Sequence, residues 1–291
     1  MKKTELADVK RILRQRPAGM HKGQAGRVLI IAGSKGMAGA AALAARGALY
    51  SGAGLVKIAA PAEIFDILQT TAFEAMCIDR AELDDPAFDY SVFDAIAIGP
   101  GLGISEANVD LLSRVISGFE GPVVIDADGI NCLCKRPQIL NMRRGATVLT
   151  PHPGEAGRLL EAFAKGNYKE LGRETAAKAL ADIPCGTGPL VVLLKGSETL
   201  VTSGGKMYVN TTGNPGMATG GSGDVLTGII VSLIAQGMHY MEADPLDAVA
   251  ASAYLHGLAG DIAAEKKGQY GMTSADLADA VAEAIKEVTG F

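Results

Sequence analysis

Short, continuous apolar runs alternate with longer alanine-rich stretches from residue 27 onward. A run without interleaved polar positions is typical of a parallel strand that is buried on both faces. The runs predict six strands, at Arg27–Ala32, Leu55–Ala59, Ala95–Ile98, Val123–Asp126, Thr147–Thr150 and Leu190–Leu194. The stretches between them predict helices, at Ala40–Ser51, Glu106–Ser117, Gly154–Phe163 and Lys169–Ala181. This order indicates βαβ units and an α/β fold, in which a mostly parallel central sheet lies between two layers of helices.

The two ends of the chain have different patterns. Thr4–Arg14 predicts a short amphipathic helix. Its apolar face consists of Leu6, Val9 and Leu13. After the last parallel strand, Thr199–Thr202 and Lys206–Val209 flank Gly204–Gly205, which predicts a β-hairpin. Three helices are predicted to close the chain, at Gly223–Gln236, Pro245–Glu265 and Ser274–Val288.

Composition narrows the class of protein. Of the 291 residues, 48% are hydrophobic and 20% are charged, which allows a large core and excludes a disordered chain. The sequence has no internal repeat, low-complexity segment or linker, so we expect one domain over residues 1–291, with residues 1–22 as an N-terminal helix and lead-in. The net charge of −5 and the lack of a Lys/Arg run exclude a nucleic-acid footprint.

No targeting or membrane segment is visible in the sequence. Met1–Arg16 is charged and lacks the apolar stretch of a signal peptide, and Val225–Ala235 is too short to cross a bilayer. Cys132 and Cys134 form one close pair, without the second pair that zinc sites usually show, so we expect reduced thiols. These features predict a cytoplasmic protein that binds neither nucleic acid nor membranes.

Glycine is frequent, with 37 residues, and it clusters in loops that follow predicted strands. In open α/β sheets, ligands bind outside the carboxyl ends of the strands. The loop Gly33–Ala40 has the spacing G-x-x-G-x-x-G, which matches neither a dinucleotide fingerprint nor a Walker A loop. It either faces an anion with its backbone N–H groups or makes a plain tight turn. Gly99–Gly103 either lets a flat or phosphorylated ligand lie against its backbone or merely turns.

Two further strand-ending loops carry ionisable side chains. In Asp126–Gly129, the carboxylates either hold Mg²⁺ or its waters, or Asp128 caps the following helix. In Thr150–Glu155, two prolines flank His152 and a glutamate follows. A single histidine is more often structural, but this one lies where ligands are expected to bind, which favours a functional role.

The longest glycine-rich loop, Gly213–Asp224, leads into an apolar helix. Successive glycine N–H groups and the helix dipole make an anion hole for a phosphoryl group in transfer. Asp224 lies in the first turn of that helix, where it can accept the proton of a hydroxyl group that is being phosphorylated. A carboxylate that only stabilises the helix start would not require the preceding glycines, so the pattern favours catalysis.

Together and in this order, the five loops resemble the NAD(P)H-hydrate dehydratase family of the ribokinase-like superfamily, over about Gly23–Glu265. Gly220–Asp224 is similar to the superfamily's anion hole and catalytic aspartate, which sugar, hydroxymethylpyrimidine and hydroxyethylthiazole kinases share. The features specific to the dehydratases are Gly33–Ala40 with the following Leu43–Arg46, Thr150–Glu155, and the full stretch Asn210–Gly228. Where many of the kinases have P-N-x-x-E, this chain has His152 in place of the asparagine, as the dehydratases do.

The resemblance implies a role for each matching residue. Asp224 would be the catalytic base, beside an anion hole formed by Gly220, Gly221, Ser222 and Gly223. The hydrated nicotinamide nucleotide would contact Ala40, Gly101, Gly103, His152 and Asp224. The ADP or ATP site would comprise Lys195, Gly196, Ser197, Glu198, Thr199 and Gly223. Glu155 would organise Mg²⁺, through water.

The activity implied by the resemblance is the ADP- or ATP-dependent dehydration of the S epimer of hydrated NADH or NADPH. The enzyme would be a hydro-lyase of nicotinamide nucleotide repair, forming AMP or ADP and phosphate. The resemblance also implies a homotetramer and a functional link to a separate NAD(P)H-hydrate epimerase. Two alternatives remain at this point: a ribokinase-like small-molecule kinase that stops at the phosphorylated product, and a nucleotide-binding regulator without turnover.

Overall fold

A ten-stranded sheet forms the centre of the protein in the computed structural model, which describes residues 1–241 and 243–291. Its strands are β1 (Lys2–Lys3), β2 (Arg27–Ile31), β3 (Leu55–Ala60), β4 (Met76–Asp79), β5 (Ala95–Ile98), β6 (Val123–Ile125), β7 (Thr147–Leu149), β8 (Leu190–Leu194), β9 (Thr199–Ser203) and β10 (Lys206–Asn210). Their spatial order is β1-β10-β9-β8-β7-β6-β5-β2-β3-β4. The strands from β8 to β4 in this order are parallel to their neighbours, and β9 and β10 form the predicted antiparallel hairpin.

Helices cover both faces of the sheet. They are α1 (Leu6–Ile12), α2 (Ala38–Tyr50), α3 (Phe65–Thr71), α4 (Glu106–Gly118), α5 (Asp128–Lys135), α6 (Pro153–Ala162), α7 (Tyr168–Ala181), α8 (Ser222–Gln236), α9 (Pro245–Lys267) and α10 (Ser274–Thr289). The layers α4–α7 and α2, α3, α8 and α9 lie on opposite faces, and α1 and α10 pack outside α8 and α9. The predicted three-layer αβα architecture is confirmed.

Strand β2 shows how the pattern of apolar residues produces these layers. Successive side chains of a strand point to opposite faces of the sheet. Leu29 and Ile31 accordingly pack into the core beneath α4–α7, and Val28 and Ile30 pack into the core beneath α2 and α8. A strand that is buried on both faces needs apolar residues at every position, which explains the continuous run in the sequence.

Several elements differ from the sequence-based prediction. Strands β1 and β4 and helices α3 and α5 were not predicted, because each is short and lies at an edge or beside a loop. The N-terminal helix is shorter than expected, since the backbone N–H of Thr4 donates to Val209 O and extends the pairing of β1. Of the three residues predicted to share its apolar face, Val9 and Leu13 are buried and Leu6, in the first turn, is exposed.

Two glycines allow helices α8 and α2 to pack closely against each other. A Cβ atom at Gly228 would overlap the backbone oxygen of Ala44, and one at Gly47 would overlap the backbone oxygen of Val225. The two helices therefore approach more closely than a residue with a Cβ atom at either position would allow. This contact fixes the N-terminal end of α8, whose first residues are the last residues of the longest glycine-rich loop.

Candidate active site

The carboxyl ends of the parallel strands bring the predicted loops together at one edge of the sheet. The loops after β2 and β5 are joined directly, because Gly33 N–H donates to Pro100 O at 2.8 Å and Ser34 Oγ donates to Gly101 O at 2.9 Å. Gly101 has a positive φ of 59°, and a Cβ atom there would lie 3.0 Å from the Cβ atom of Ala40. Two residues that the resemblance assigns to one substrate are therefore neighbours.

Asp128 supports the loop after β5. Its Oδ2 accepts a hydrogen bond from the backbone N–H of Gly103 at 2.8 Å, and its Oδ1 accepts one from Asn131 at 3.3 Å. Asn108 donates to the backbone oxygen of Gly103 from the other side, at 3.0 Å. The sequence left Asp128 open as a helix cap or a magnesium ligand; in the structure it is the first residue of α5, and its carboxylate holds the glycine loop.

A buried carboxylate lies beneath the centre of the site. Asp126 is 1% exposed, and its Oδ1 accepts hydrogen bonds from Thr150 Oγ1 at 2.7 Å and from Lys195 Nζ at 2.5 Å. Its Oδ2 accepts one from Thr227 Oγ1 at 2.7 Å. These partners follow β7 and β8 or belong to α8, so one side chain ties three elements together. Both carboxylate oxygens are occupied by donors from the protein.

The anion-hole segment lies over this network. Gly221 has a φ of 94°, and a Cβ atom there would overlap Leu43, so the turn into α8 requires glycine. Ser274 Oγ donates to the backbone oxygen of Gly220. His256 Nε2 donates to the backbone oxygen of Ser222 at 2.8 Å. These contacts fix the backbone of the segment at Gly220 and at Ser222.

Asp224 is partly buried in the first turn of α8. Burial raises the pKa of its carboxyl group from the usual 3.8 to about 7, and the charges of Asp126 and Asp128 raise it further against the opposing effect of Lys195. A carboxylate that titrates near neutral pH accepts a proton more readily than an exposed one, while much of it remains ionised at pH 7. A carboxyl group with this pKa at the start of α8 is suited to act as a general base.

His152 and Glu155 have a structural contact that the sequence did not reveal. His152 is the N-cap of α6, because its Nδ1 accepts hydrogen bonds from the N–H groups of Gly154 at 3.0 Å and Glu155 at 3.4 Å. The buried Glu155 accepts from the backbone N–H of His152 at 2.9 Å, which completes a capping box. The imidazole side chain is nevertheless 51% exposed, and its Nε2 lies 3.3 Å from Glu155 Oε1.

The segment predicted to bind the adenine nucleotide begins at the end of β8. The backbone N–H of Lys195 donates to Pro151 O at 2.9 Å, which places this segment beside the loop that carries His152. Thr199 Oγ1 donates to Gly196 O at 3.0 Å, and Gly196, Ser197 and Glu198 are exposed. A Cβ atom at Gly223 would lie 3.2 Å from Lys195 Nζ, so the ammonium group reaches the anion hole.

Sequence reasoning missed several residues that hold the site in place. Asp261 accepts from Gly213 N–H and from Asn214 Nδ2, each at 2.9 Å, and Arg173 donates to Glu198 O at 2.8 Å. Thr227 and His256 were likewise not singled out. The four residues lie on helices α7, α8 and α9, away from the glycine-rich loops, and their sequence patterns are those of ordinary helices. Their roles are visible only from their hydrogen-bond partners in the folded protein.

The donor set suits a magnesium ion that arrives with a nucleotide. In the part of the chain that the structure describes, no three His, Cys, Asp or Glu side chains form a metal cage. Mg²⁺ usually keeps several waters and binds through one or two carboxylates and substrate phosphates. Both oxygens of Asp126 accept hydrogen bonds within the protein, whereas Glu155 accepts one at Oε2 from the backbone N–H of His152, and its Oε1 lies 3.3 Å from His152 Nε2.

The topology and the glycine-rich segment before α8 define a ribokinase-like protein. A solved ribokinase from Thermotoga maritima has the same fold, with a TM-score of 0.53 at 13% identity, over 89% of this chain and 99% of that one. The family model described as NAD(P)H-hydrate dehydratase matches residues 28–283. The chain belongs to this NAD(P)H-hydrate dehydratase family.

Individual relatives have names that agree with the family. The bifunctional NAD(P)H-hydrate repair enzyme Nnr of Moorella thermoacetica is 43% identical over 278 residues, which cover 92% of this chain and 50% of the relative. The chain thus spans about half the length of such bifunctional relatives. The ADP-dependent (S)-NAD(P)H-hydrate dehydratase of Neisseria meningitidis is 36% identical, over 92% of this chain and 88% of the relative.

A closely similar structure has also been solved. The ADP/ATP-dependent NAD(P)H-hydrate dehydratase of Bacillus subtilis, co-crystallised with ATP/Mg²⁺, has a TM-score of 0.80 and 29% identity, over 99% of this chain and 98% of that one. Within residues 1–241 and 243–291 of the present chain, no helix has the length and apolar character needed to cross a membrane.

Proposed function

We propose that this chain uses ADP or ATP to dehydrate the S epimer of hydrated NADH or NADPH, and so repairs the damaged cofactor. The observation that carries the proposal is Asp224, whose carboxyl pKa is raised to about 7 at the start of α8, next to the anion-hole segment. Relatives that are named for this activity or for ATP/Mg²⁺ binding support it.

The reaction needs two steps, because hydroxide is a poor leaving group at neutral pH. The hydrated cofactor carries a hydroxyl group on the ring carbon beside the ring nitrogen. Asp224 takes the proton of this hydroxyl while the oxygen attacks the terminal phosphorus of ADP or ATP, and AMP or ADP leaves. The ring nitrogen lone pair then expels phosphate, and the adjacent ring carbon loses a proton, which restores the dihydronicotinamide.

The residues around Asp224 have complementary roles in this proposal. Phosphoryl transfer depends mainly on positioning and on stabilisation of charge. The anion hole comprises Gly220, Gly221, Ser222 and Gly223, whose N–H groups receive the charge that develops on the phosphoryl oxygens. The hydrated cofactor contacts Ala40, Gly101, Gly103, His152 and Asp224, and the nucleotide contacts Lys195, Gly196, Ser197, Glu198, Thr199 and Gly223. Glu155 would hold magnesium, through water, and the ion would offset phosphate charge.

Three further features remain predictions from the family resemblance. They are a cytoplasmic location, a homotetramer, and a functional link to an NAD(P)H-hydrate epimerase. The bifunctional names of relatives about twice as long as this chain support the last of these. An epimerase would convert the R epimer, which this site does not process, into the S epimer that it does.

We expect conversion of (S)-hydrated NADH to NADH to require ADP or ATP, and each turnover to release one AMP or ADP and one phosphate. The measurement combines absorbance of regenerated NADH with chromatography of the nucleotides, and purified R epimer is the control that should stay unconverted. NADH formation without nucleotide consumption would contradict the phosphorylation mechanism. A stable phosphorylated product without NADH would instead identify a small-molecule kinase.

His152→Asn separates the two roles of the histidine. Asparagine is a good N-cap, so the variant should keep the start of α6 and melt within a few degrees of the wild type. Loss of one imidazole hydrogen bond to the substrate typically removes about 1 kcal/mol of binding, so the KM for hydrated NADH should rise about fivefold. The KM for ADP should stay the same, and the two KM values can be measured in the same coupled assay.

His152→Ala is the matched control, because it removes the cap as well as the imidazole. It should show the same rise in KM and an additional loss of about 1 kcal/mol in stability. If His152→Asn binds hydrated NADH as tightly as the wild type, His152 is only a helix cap and its proposed contact with the substrate is wrong.

A further inference from the structure

Three carboxylates, those of Asp126, Glu155 and Asp224, act electrostatically on the Lys195 ammonium group. Its Nζ is 2.5 Å from Asp126 Oδ1, and no ion pair with Asp224 within 4.0 Å is found, although both side chains belong to the described part of the chain. Asp224 is close enough to affect Lys195 electrostatically, and each of the two groups shifts the pKa of the other. Of these three carboxylates, the ammonium group is paired with that of Asp126.

The structure shows why Asp126 is the partner. Thr150 and Thr227 donate to its two oxygens, so the carboxylate is fixed and points its Oδ1 at Lys195. Thr227 lies one turn after Gly223 on α8, and its Oγ1 is also 3.2 Å from Gly223 O. The same hydroxyl group thus connects the carboxylate that holds the ammonium to the backbone of the anion hole.

We infer that Asp126 is a positioning residue that holds the Lys195 ammonium beside Gly223 and keeps it from pairing with Asp224. Only the functional benefit of this arrangement rests on the proposed function. An Asp224 carboxylate that forms an ion pair is a weak base, and a Lys195 ammonium group that pairs with Asp224 is turned away from the phosphates. One buried carboxylate, 2.5 Å from the cation, would then keep the cation and the base of the site separate.

Charged groups on the neighbouring elements affect the pKa values of Asp224 and Lys195. Asp126 follows β6, Asp128 begins α5 and Lys195 follows β8, and all three act on Asp224. Glu155 on α6 acts on Lys195. His256 on α9 is neutral at pH 7, because burial lowers its pKa to about 4, so it adds no charge.

The test is a titration of the Asp224 carboxyl carbon by NMR in the ligand-free protein, with the signal assigned through Asp224→Asn. The wild type should titrate near pH 7. In Asp126→Asn the ammonium should turn to Asp224 and lower the midpoint by about 1–3 pH units. Thr227→Val removes one of the two hydroxyl donors to Asp126 and leaves all the charges, so its midpoint should fall much less than that of Asp126→Asn, although its melting temperature falls.

A double-mutant cycle distinguishes movement of Lys195 from the simple loss of a neighbouring charge. In a Lys195→Met background no ammonium is present, so Asp126→Asn should lower the midpoint far less than it does in the wild type. Removing both charges also avoids a buried ion without a partner, which favours folding of the double variant. An equal fall in both backgrounds would overturn the inference.

The wild-type titration decides the question even if Asp126→Asn does not fold. A wild-type midpoint below the usual 3.8 would show that Lys195 already pairs with Asp224, and would overturn the inference. The titration uses no substrate, so it does not depend on the proposed function. If the enzyme fails to regenerate NADH while the midpoints move as expected, the proposed function fails and the role of Asp126 stands.

Discussion

Asp224→Asn is expected to reduce the turnover of hydrated NADH by about 10²–10⁴-fold, the usual cost of losing a positioned general base. Asparagine has nearly the same shape as aspartate but cannot take up the hydroxyl proton at neutral pH. The anion-hole backbone and the start of α8 remain, so the variant should fold and bind ADP. Its affinity for ADP should be equal or slightly higher, because one negative charge near the phosphates is removed. Steady-state kinetics and calorimetric titration with ADP measure the two effects.

Asp244→Asn provides a matched control at another helix start. Asp244 caps α9 by accepting a hydrogen bond from Leu246 N–H at 2.8 Å, and asparagine serves nearly as well in that position. This variant should keep both stability and turnover. If Asp224→Asn retains turnover as Asp244→Asn does, Asp224 is only a residue of the helix start and the proposed mechanism is wrong at its central step.

The same Asp224→Asn variant is expected to be more stable than the wild type above pH 7. In the folded protein the carboxyl pKa is about 7, against the usual 3.8, so the native state binds this proton more tightly than the unfolded state does. Wild-type stability therefore falls as the pH rises from about 4 to 7, and the loss is complete above pH 7. Asparagine does not titrate, so the variant should gain up to about 4 kcal/mol at pH 8 and nothing below pH 4.

Urea unfolding of both proteins at pH 4 and pH 8 measures this difference. Asp110→Asn is the control, because Asp110 is exposed and its ion pair with Arg136 is at the surface, where removal of one partner changes stability by about 1 kcal/mol or less. If Asp224→Asn is no more stable than the wild type at pH 8, the burial of Asp224 does not disfavour its charge. The base would then have no raised pKa, and the catalytic proposal would lose its electrostatic basis.

Much of the fold follows from local patterns. The continuous apolar runs at β2, β5 and β8 are visible without a structure, because a strand that is buried on both faces requires them. Strand β4 has no such run, since it lies at the edge of the sheet with a single neighbour and is only half buried. Helix α5 was missed for a related reason: it has only eight residues, too few for a clear helical period.

The glycine-rich loops could also be recognised from the sequence. The glycine run before Asp224 and the order of the five loops along the chain predicted an anion hole at the carboxyl edge of a parallel sheet, and the structure has Gly221 at positive φ. The family of the protein followed from these loops and agrees with the family model. Glycine is informative here because its freedom of backbone conformation is a property of the residue itself and needs no partner.

Only the tertiary structure determines which side chains pair with Asp126 in the site. Asp126 and Lys195 are 69 positions apart, and Asp126 and Thr227 are 101 apart, so no local pattern relates them. The strand order β8-β7-β6 and the packing of α8 on α2 bring them together. Sequence can show that an aspartate ends a buried strand. Whether that aspartate binds a metal, caps a helix or holds a lysine depends on which donors the fold places within hydrogen-bonding distance of its two oxygens.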